Sequence, residues 1–253
     1  MDKKELLDRA KDPNLISGIY NYCDRWCERC PFTARCLNFA MEKDQKRKAG
    51  GADEDNEQFW NQIQDSFDIA ISLLADLAEE FGIDLDAFEI EEDAAPDNRE
   101  HILSAMAGQY IKSAKKWFDR NRLLIAEAVE KENSHLKVVR PDAEESPIPL
   151  AEAIEVIDYY KYFIDAKLDR ALRGKNEDAR DDFNDLPKDF DGSAKIALIA
   201  MDRSISGWGV VASRLPDHKA AAAEIIGRLK RIRDVTEREF PEARAFVRPG
   251  FDE

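Results

Sequence analysis

Five long segments of this chain repeat their apolar residues at the period of an α-helix, and no segment alternates strongly with period two. That pattern confines the chain to an all-α fold, a helical bundle following a small N-terminal module. Residues 56–82 carry the cleanest stripe: Phe59, Trp60, Ile63, Phe67, Ala70, Leu74, Leu77, Ala78 and Phe81, with Asp65, Asp68, Asp76 and Glu79 outside it. A second helix is expected over 98–131, capped at Pro96-Asp97. A third spans 149–173, opened by Pro147 and Pro149 and closed by Gly174. The segment 193–213 is apolar nearly all round, as a central buried helix would be. The fifth runs from a capping Asp217 to Glu239. Polar stretches at 43–56, 131–146 and 174–191 read as connections, and Lys137-Val138-Val139 is too short to define a strand. The expected organisation is an N-terminal module over 1–42 and a bundle over 55–253, as two parts or as one integrated domain.

With 253 residues, such a chain can bury a core without disulfide staples. Its 38 basic against 53 acidic residues give a net charge of −15, which argues against nucleic acid and against anionic membranes as partners. Met1-Asp2-Lys3-Lys4-Glu5 shows no apolar leader, and no run reaches the roughly 20 apolar residues of a membrane span. A soluble, cytoplasmic protein is the expectation. No Walker loop, dinucleotide fingerprint, nucleophile elbow or H-E-x-x-H is present.

All four cysteines fall within residues 23–36, spaced C-x3-C-x2-C-x5-C: Cys23, Cys27, Cys30 and Cys36. Two short disulfides or free buried thiols are the plain alternatives, but clustering in a chain expected in a reducing compartment points to a four-thiolate metal site. An unbroken helix would set Cys23 and Cys30 about 10 Å apart along its axis. Zinc needs its sulfurs within about 4 Å of one another. The helix must therefore end near Cys27–Cys30, where Pro31 suits a break. An iron–sulfur cubane spreads its thiolates further and strains this segment less.

The stretch Cys27-Glu28-Arg29-Cys30-Pro31-Phe32-Thr33-Ala34-Arg35-Cys36 resembles the C-x2-C-P-x4-C cluster segment of endonuclease III-type DNA glycosylases and of AddB-type helicase-nucleases. The resemblance covers about ten residues. It implies a [4Fe-4S] cluster held by Cys27, Cys30 and Cys36, with Cys23 as fourth ligand and zinc as the alternative occupant. The glycosylase pattern has a longer first gap, and its helix-hairpin-helix glycines and Lys/Asp pair are missing here, as is the nuclease's E-x-K strand. The motif thus implies the cofactor and not the enzyme. Tyr20, Tyr22, Trp26 and Phe32 would pack the module and screen a cluster; Arg25, Arg29 and Arg35 would offset thiolate charge or form a solvated face.

Other constellations are weaker. A di-iron carboxylate site requires paired Glu-x-x-His motifs, and only Glu132-Asn133-Ser134-His135 fits. His101 and His218 read as surface residues. Lys161 and Lys167 lie on or beside the apolar arc of their helix, with Asp202 the expected partner of a buried lysine, and Asp202-Arg203 interrupts the apolar helix; structural ion pairs are the favoured reading. Ile196 to Val211 resembles the first hairpin of RNase H-like nucleases, but Ser204 stands where that family has glycine, and the residues that follow read as helix. Gly207 and Gly209 would admit a close neighbouring helix. The tail from Phe240 to Phe251 is expected to fold back on the bundle. The leading expectation is an iron–sulfur protein in electron transfer, redox sensing or a reductive reaction, with an unidentified protein or redox partner. A zinc-tied interaction module without enzymatic activity, and a nucleic-acid enzyme with a structural cluster, stand behind it.

Overall fold

The structure is a computed structural model that describes residues 3–48, 56–84, 98, 101–136, 148–178 and 188–252. Among these the chain forms seven α-helices, short 3-10 turns and no strand, an all-α fold. It divides into two compact units: Met1–Ala94 with Arg248–Glu253, and Ala95–Val247.

The second unit is the bundle. It comprises α4 (Ile102–Leu136), α5 (Leu150–Asp178), α6 (Asp189–Arg214) and α7 (Lys219–Glu239). On α5 the buried residues Leu150, Ala153, Ile157, Tyr160, Ile164, Leu168 and Ala171 recur every three or four positions, one face of a helix. On α6 burial extends around most of the circumference, and this helix packs along both α5 and α7 while α4 closes against α5 and α7. The apolar composition of 193–213 thus places α6 at the centre. Trp208 is fully buried, with Trp117 edge-on at 5.0 Å and Phe118 tilted at 6.1 Å. Gly207 makes the α5–α6 contact possible: a Cβ there would stand 3.0 Å from Ile157 Cγ1 and 3.1 Å from the Ala153 carbonyl. Gly209 faces open space and has no such role.

Several helix ends differ from expectation, each for a physical reason. Gly174 does not close α5, which continues to Asp178; its missing Cβ instead accommodates Phe190, 3.3 Å from where that Cβ would be. A 3-10 turn over Pro216–His218 precedes α7, so His218 rather than Asp217 is the helix-capping position. Helix α4 reaches Leu136, through the start of the expected connection. The Pro96-Asp97 cap and Lys137-Val138-Val139 lie outside the described residues.

The first unit holds α1 (Lys3–Ala10), α2 (Leu37–Lys48), α3 (Asn56–Phe81) and the cysteine segment. Helices α1 and α2 were not legible as periodic segments, and α2 occupies part of the charge run expected to be a connection. The last residues belong here: a Gly250 Cβ would lie 2.8 Å from Ile16 Cδ1, and Phe251 meets Phe32 edge-on at 5.0 Å. The tail therefore splits, with Phe240 and Ala243 buried in the bundle unit and Arg248–Asp252 joined to the cysteine unit. No helix among the described residues is long and apolar enough to cross a membrane.

Candidate metal centre

The cysteine segment is built from tight turns rather than from a helix. The Ile16 amide donates to the Arg35 carbonyl at 3.0 Å, and Arg35 Nε donates to the Asn14 carbonyl at 3.0 Å. These two bonds close the loop and bring Cys36 back beside the earlier cysteines. Asp24 accepts the Trp26 amide at 3.1 Å, a local turn that leaves Arg25 in the left-handed region at φ 60°. The turn Cys27–Arg29 follows, closed by the Cys30 amide on the Cys27 carbonyl. Cys30 is extended, as a residue before proline must be, and Pro31 leads into a second turn, Thr33–Arg35. Cys36 is extended as well, and α2 begins at the next residue. The expected helix ending near Cys27–Cys30 is not formed: residues 11–26 are already turns and coil, so there is no helix for Pro31 to break.

The four thiols are free, half-buried and line one small recess of about 20 Å³. Its other walls are apolar or aromatic: Ile19, Tyr20, Trp26, Phe39 and Phe251, with Asp24, Arg25 and Thr33 at the edge. Cys23 Sγ lies 3.5 Å from the Tyr20 carbonyl, to which it donates. Burial pushes the Cys23 thiol above its ordinary pKa, opposed by the backbone amide and the guanidinium of Arg25. Burial also raises Cys27, and Glu42 with the other three cysteines adds in the same direction. Both shifts favour the protonated thiol over the thiolate. Among the described residues no group of three or more His, Cys, Asp or Glu side chains is placed so that it could hold a metal ion as it stands.

The three arginines act separately. Arg25 favours the Cys23 thiolate, Arg29 lies 4.2 Å over the Trp26 ring, and Arg35 ties the loop to Asn14. Trp26 is buried, while Tyr20, Tyr22 and Phe32 are half-buried.

In the bundle the expected pairing of Lys161 or Lys167 with Asp202 does not occur. Lys161 pairs with Asp158 one turn back and lies over the Tyr162 ring; Lys167 lies over Phe163. Asp202 instead accepts from Arg233 at 3.2 Å and Arg244 at 2.8 Å, and Arg203 donates to the Tyr160 hydroxyl. The reason is reach: Lys161 finds a carboxylate on its own helix, while α7 and the segment after it bring two guanidinium groups to α6. Glu132, the candidate di-iron carboxylate, accepts the first amide of α5 at 2.6 Å and pairs with Arg214 at 3.1 Å. His101 Nδ1 accepts the Leu103 amide at the start of α4, and His218 packs edge-on against Trp117. Sequence reasoning missed the buried Asn98, which donates to the Asp169 carbonyl at 3.3 Å and accepts from Asn176 at 3.2 Å. The tail, expected to fold back on the bundle, does so at Phe240 and Ala243, but Arg248–Asp252 belong instead to the cysteine unit.

No family model, curated protein or solved structure matches the chain.

Proposed function

We propose that this chain is an iron–sulfur protein in which Cys23, Cys27, Cys30 and Cys36 hold a [4Fe-4S] cluster that serves electron transfer or redox sensing. The observation that carries this reading is the convergence of four free thiols on one apolar recess, in a unit with almost no other core among its described residues. A bound cluster supplies one-electron chemistry, tuned by burial and by hydrogen bonds to sulfur. The chain's own residues would set that tuning: Trp26 and Phe251 exclude water, and the amide and guanidinium of Arg25 stabilise negative charge at Cys23. Loading requires the Cys23 and Cys27 thiols to lose protons, so uptake should slow as pH falls. Zinc at the same four thiols, tying together a module that binds another protein, is the second reading; the exposed apolar face of α3 favours an interaction role.

The deciding experiment is purification without oxygen, followed by iron, sulfide and zinc analysis and a visible spectrum. Four irons and four sulfides per chain, with broad visible absorption bleached reversibly by a reductant, support the proposal. A colourless protein with one zinc per chain overturns it in favour of the second reading. Normal metal content in Cys23→Ser would remove Cys23 from the ligand set.

A further inference from the structure

Helices α4 and α5 pack together in the bundle unit and leave an open groove of about 400 Å³ between them. Sites that take small molecules span roughly 300–1,000 Å³. The apolar wall of this groove is Phe118, Ile125 and Ile154, with the Tyr162 ring beside them. Charged side chains complete the lining: Lys115, Arg122 and Lys161 against Asp119 and Asp158. The excess is positive, in a chain whose net charge is −15.

Two of the three cations are already paired. Lys115 donates to Asp119 at 2.6 Å. Lys161 donates to the Asp158 carboxylate and, at 3.1 Å, to the Asp158 carbonyl. Among the described residues Arg122 has no hydrogen-bonded carboxylate, so its guanidinium is the charge left over. Lys161 is the fixed point of the groove. Its side chain is 12% exposed, and its ammonium lies 4.8 Å from the Tyr162 ring centroid and 5.8 Å from that of Phe118. A cation held in this way costs a ligand little further ordering. With two contacts to Asp158, it keeps one of its three N–H donors for another acceptor. The Asp119 carboxyl is held below its ordinary pKa first by Lys115, and also by Arg122 and Lys161, so the three cations act on one neighbourhood.

These features select a ligand. One unneutralised guanidinium matches one negative charge, and its planar fork fits a carboxylate. A dianion would bring a second negative charge beside Asp119 and Asp158 with no further cation to meet it. The apolar wall calls for a body of aromatic or branched carbon. We propose that the α4–α5 groove binds a small amphipathic monocarboxylate, its head on Arg122 and Lys161 and its apolar body on Phe118, Ile125 and Ile154. The site lies in the bundle unit and does not depend on what the four cysteines hold.

The probe is naphthoate, compared with its neutral amide. Both are titrated into the whole protein with isoleucine methyl groups labelled for nuclear magnetic resonance. Ile125 and Ile154 report on the groove, and Ile71, exposed on α3, reports on binding elsewhere. Naphthoate should shift the Ile125 and Ile154 methyl signals saturably, bind at least about ten-fold more tightly than the amide, and weaken with added salt. Arg122→Gln with Lys161→Met should bring the two ligands to equal affinity with helicity retained. Arg122→Gln alone, which breaks no ion pair among the described residues, should weaken naphthoate at least about five-fold and leave the amide unchanged. Equal affinities for the two ligands in the unaltered protein would overturn the proposal. So would full naphthoate affinity in Arg122→Gln, shifts at Ile71 without shifts at Ile125 and Ile154, or no saturable shift at all.

Discussion

The two units solve the problem of stability in opposite ways. The bundle unit buries Trp208, Tyr110, Tyr160 and whole stripes of Leu, Ile and Ala along α4 to α7. Among the described residues of the cysteine unit, the buried apolar side chains are Ile19, Trp26 and Ala78. A single buried Leu or Ile is worth about 1.5–3 kcal/mol, so these three described residues contribute far less apolar burial than the described residues of the bundle unit do. Two of those three residues, Ile19 and Trp26, sit beside the four thiols. Small units of this kind are commonly held by a metal. On the proposed reading, a metal at the four cysteines would act locally and complete the packing of the first unit, while the bundle would need nothing from it.

The most severe way to break this contrast is to remove a thiol. Cys27→Ser, at the cysteine that senses all three others, should abolish metal loading and unfold the turns over residues 19–36, with the bundle's near-ultraviolet circular dichroism preserved. The reverse experiment is Trp208→Ala. Emptying that site should cost the bundle about 3–5 kcal/mol and leave metal content unchanged. Melting both units together in either variant would show that the division is false.

Two glycines sharpen the account of the bundle. Gly207→Ala should destabilise it by about 1–3 kcal/mol, because the added methyl meets Ile157 and the Ala153 carbonyl. Gly209→Ala, two residues on and facing open space, should stabilise it by about 0.5–1 kcal/mol. Opposite signs from denaturant melts would confirm how closely α5 and α6 approach; equal signs would refute it.

The smallest expected effect is electrostatic. Asp191 is buried with one carboxylate oxygen lacking a hydrogen-bond partner. Burial, and then Glu242, raise its pKa. A raised carboxyl pKa penalises the charged form, so this residue's contribution to stability is greatest when protonated and falls as pH rises through the folded-state value. Asp191→Asn should therefore stabilise the bundle modestly at neutral pH, and the gain should vanish as pH drops below the ordinary carboxylate range near ~4. A constant difference across that range would mean the carboxylate is not penalised.

The bundle was largely legible in the sequence because its helices carry wide apolar stripes whose period survives any choice of partner. Helix α2 was not, since its second half, residues 43–48, is entirely charged or polar and falls in the run read as a connection. Helix ends set by tertiary contact were also hidden: Gly174 signals a stop by propensity, yet it lies against Phe190 within a continuing helix. The α3 stripe exposes the limit of periodicity most clearly. It reports that a face is apolar, and says nothing about whether the rest of the chain covers it. At the cysteine segment, spacing alone required a broken helix. Closure through Ile16 and Arg35, and the contribution of Phe251 from the far end of the chain, are long-range contacts that spacing does not encode.

Hydrogen exchange on the anaerobically purified protein, before and after the metal is stripped by a chelator, tests the central claim most directly. The account predicts that protection over residues 15–40 collapses on stripping, while protection along α4 to α7 is unchanged. Unaltered protection across residues 15–40 in the metal-free protein would contradict it, for the four thiols would then not be what holds the first unit together.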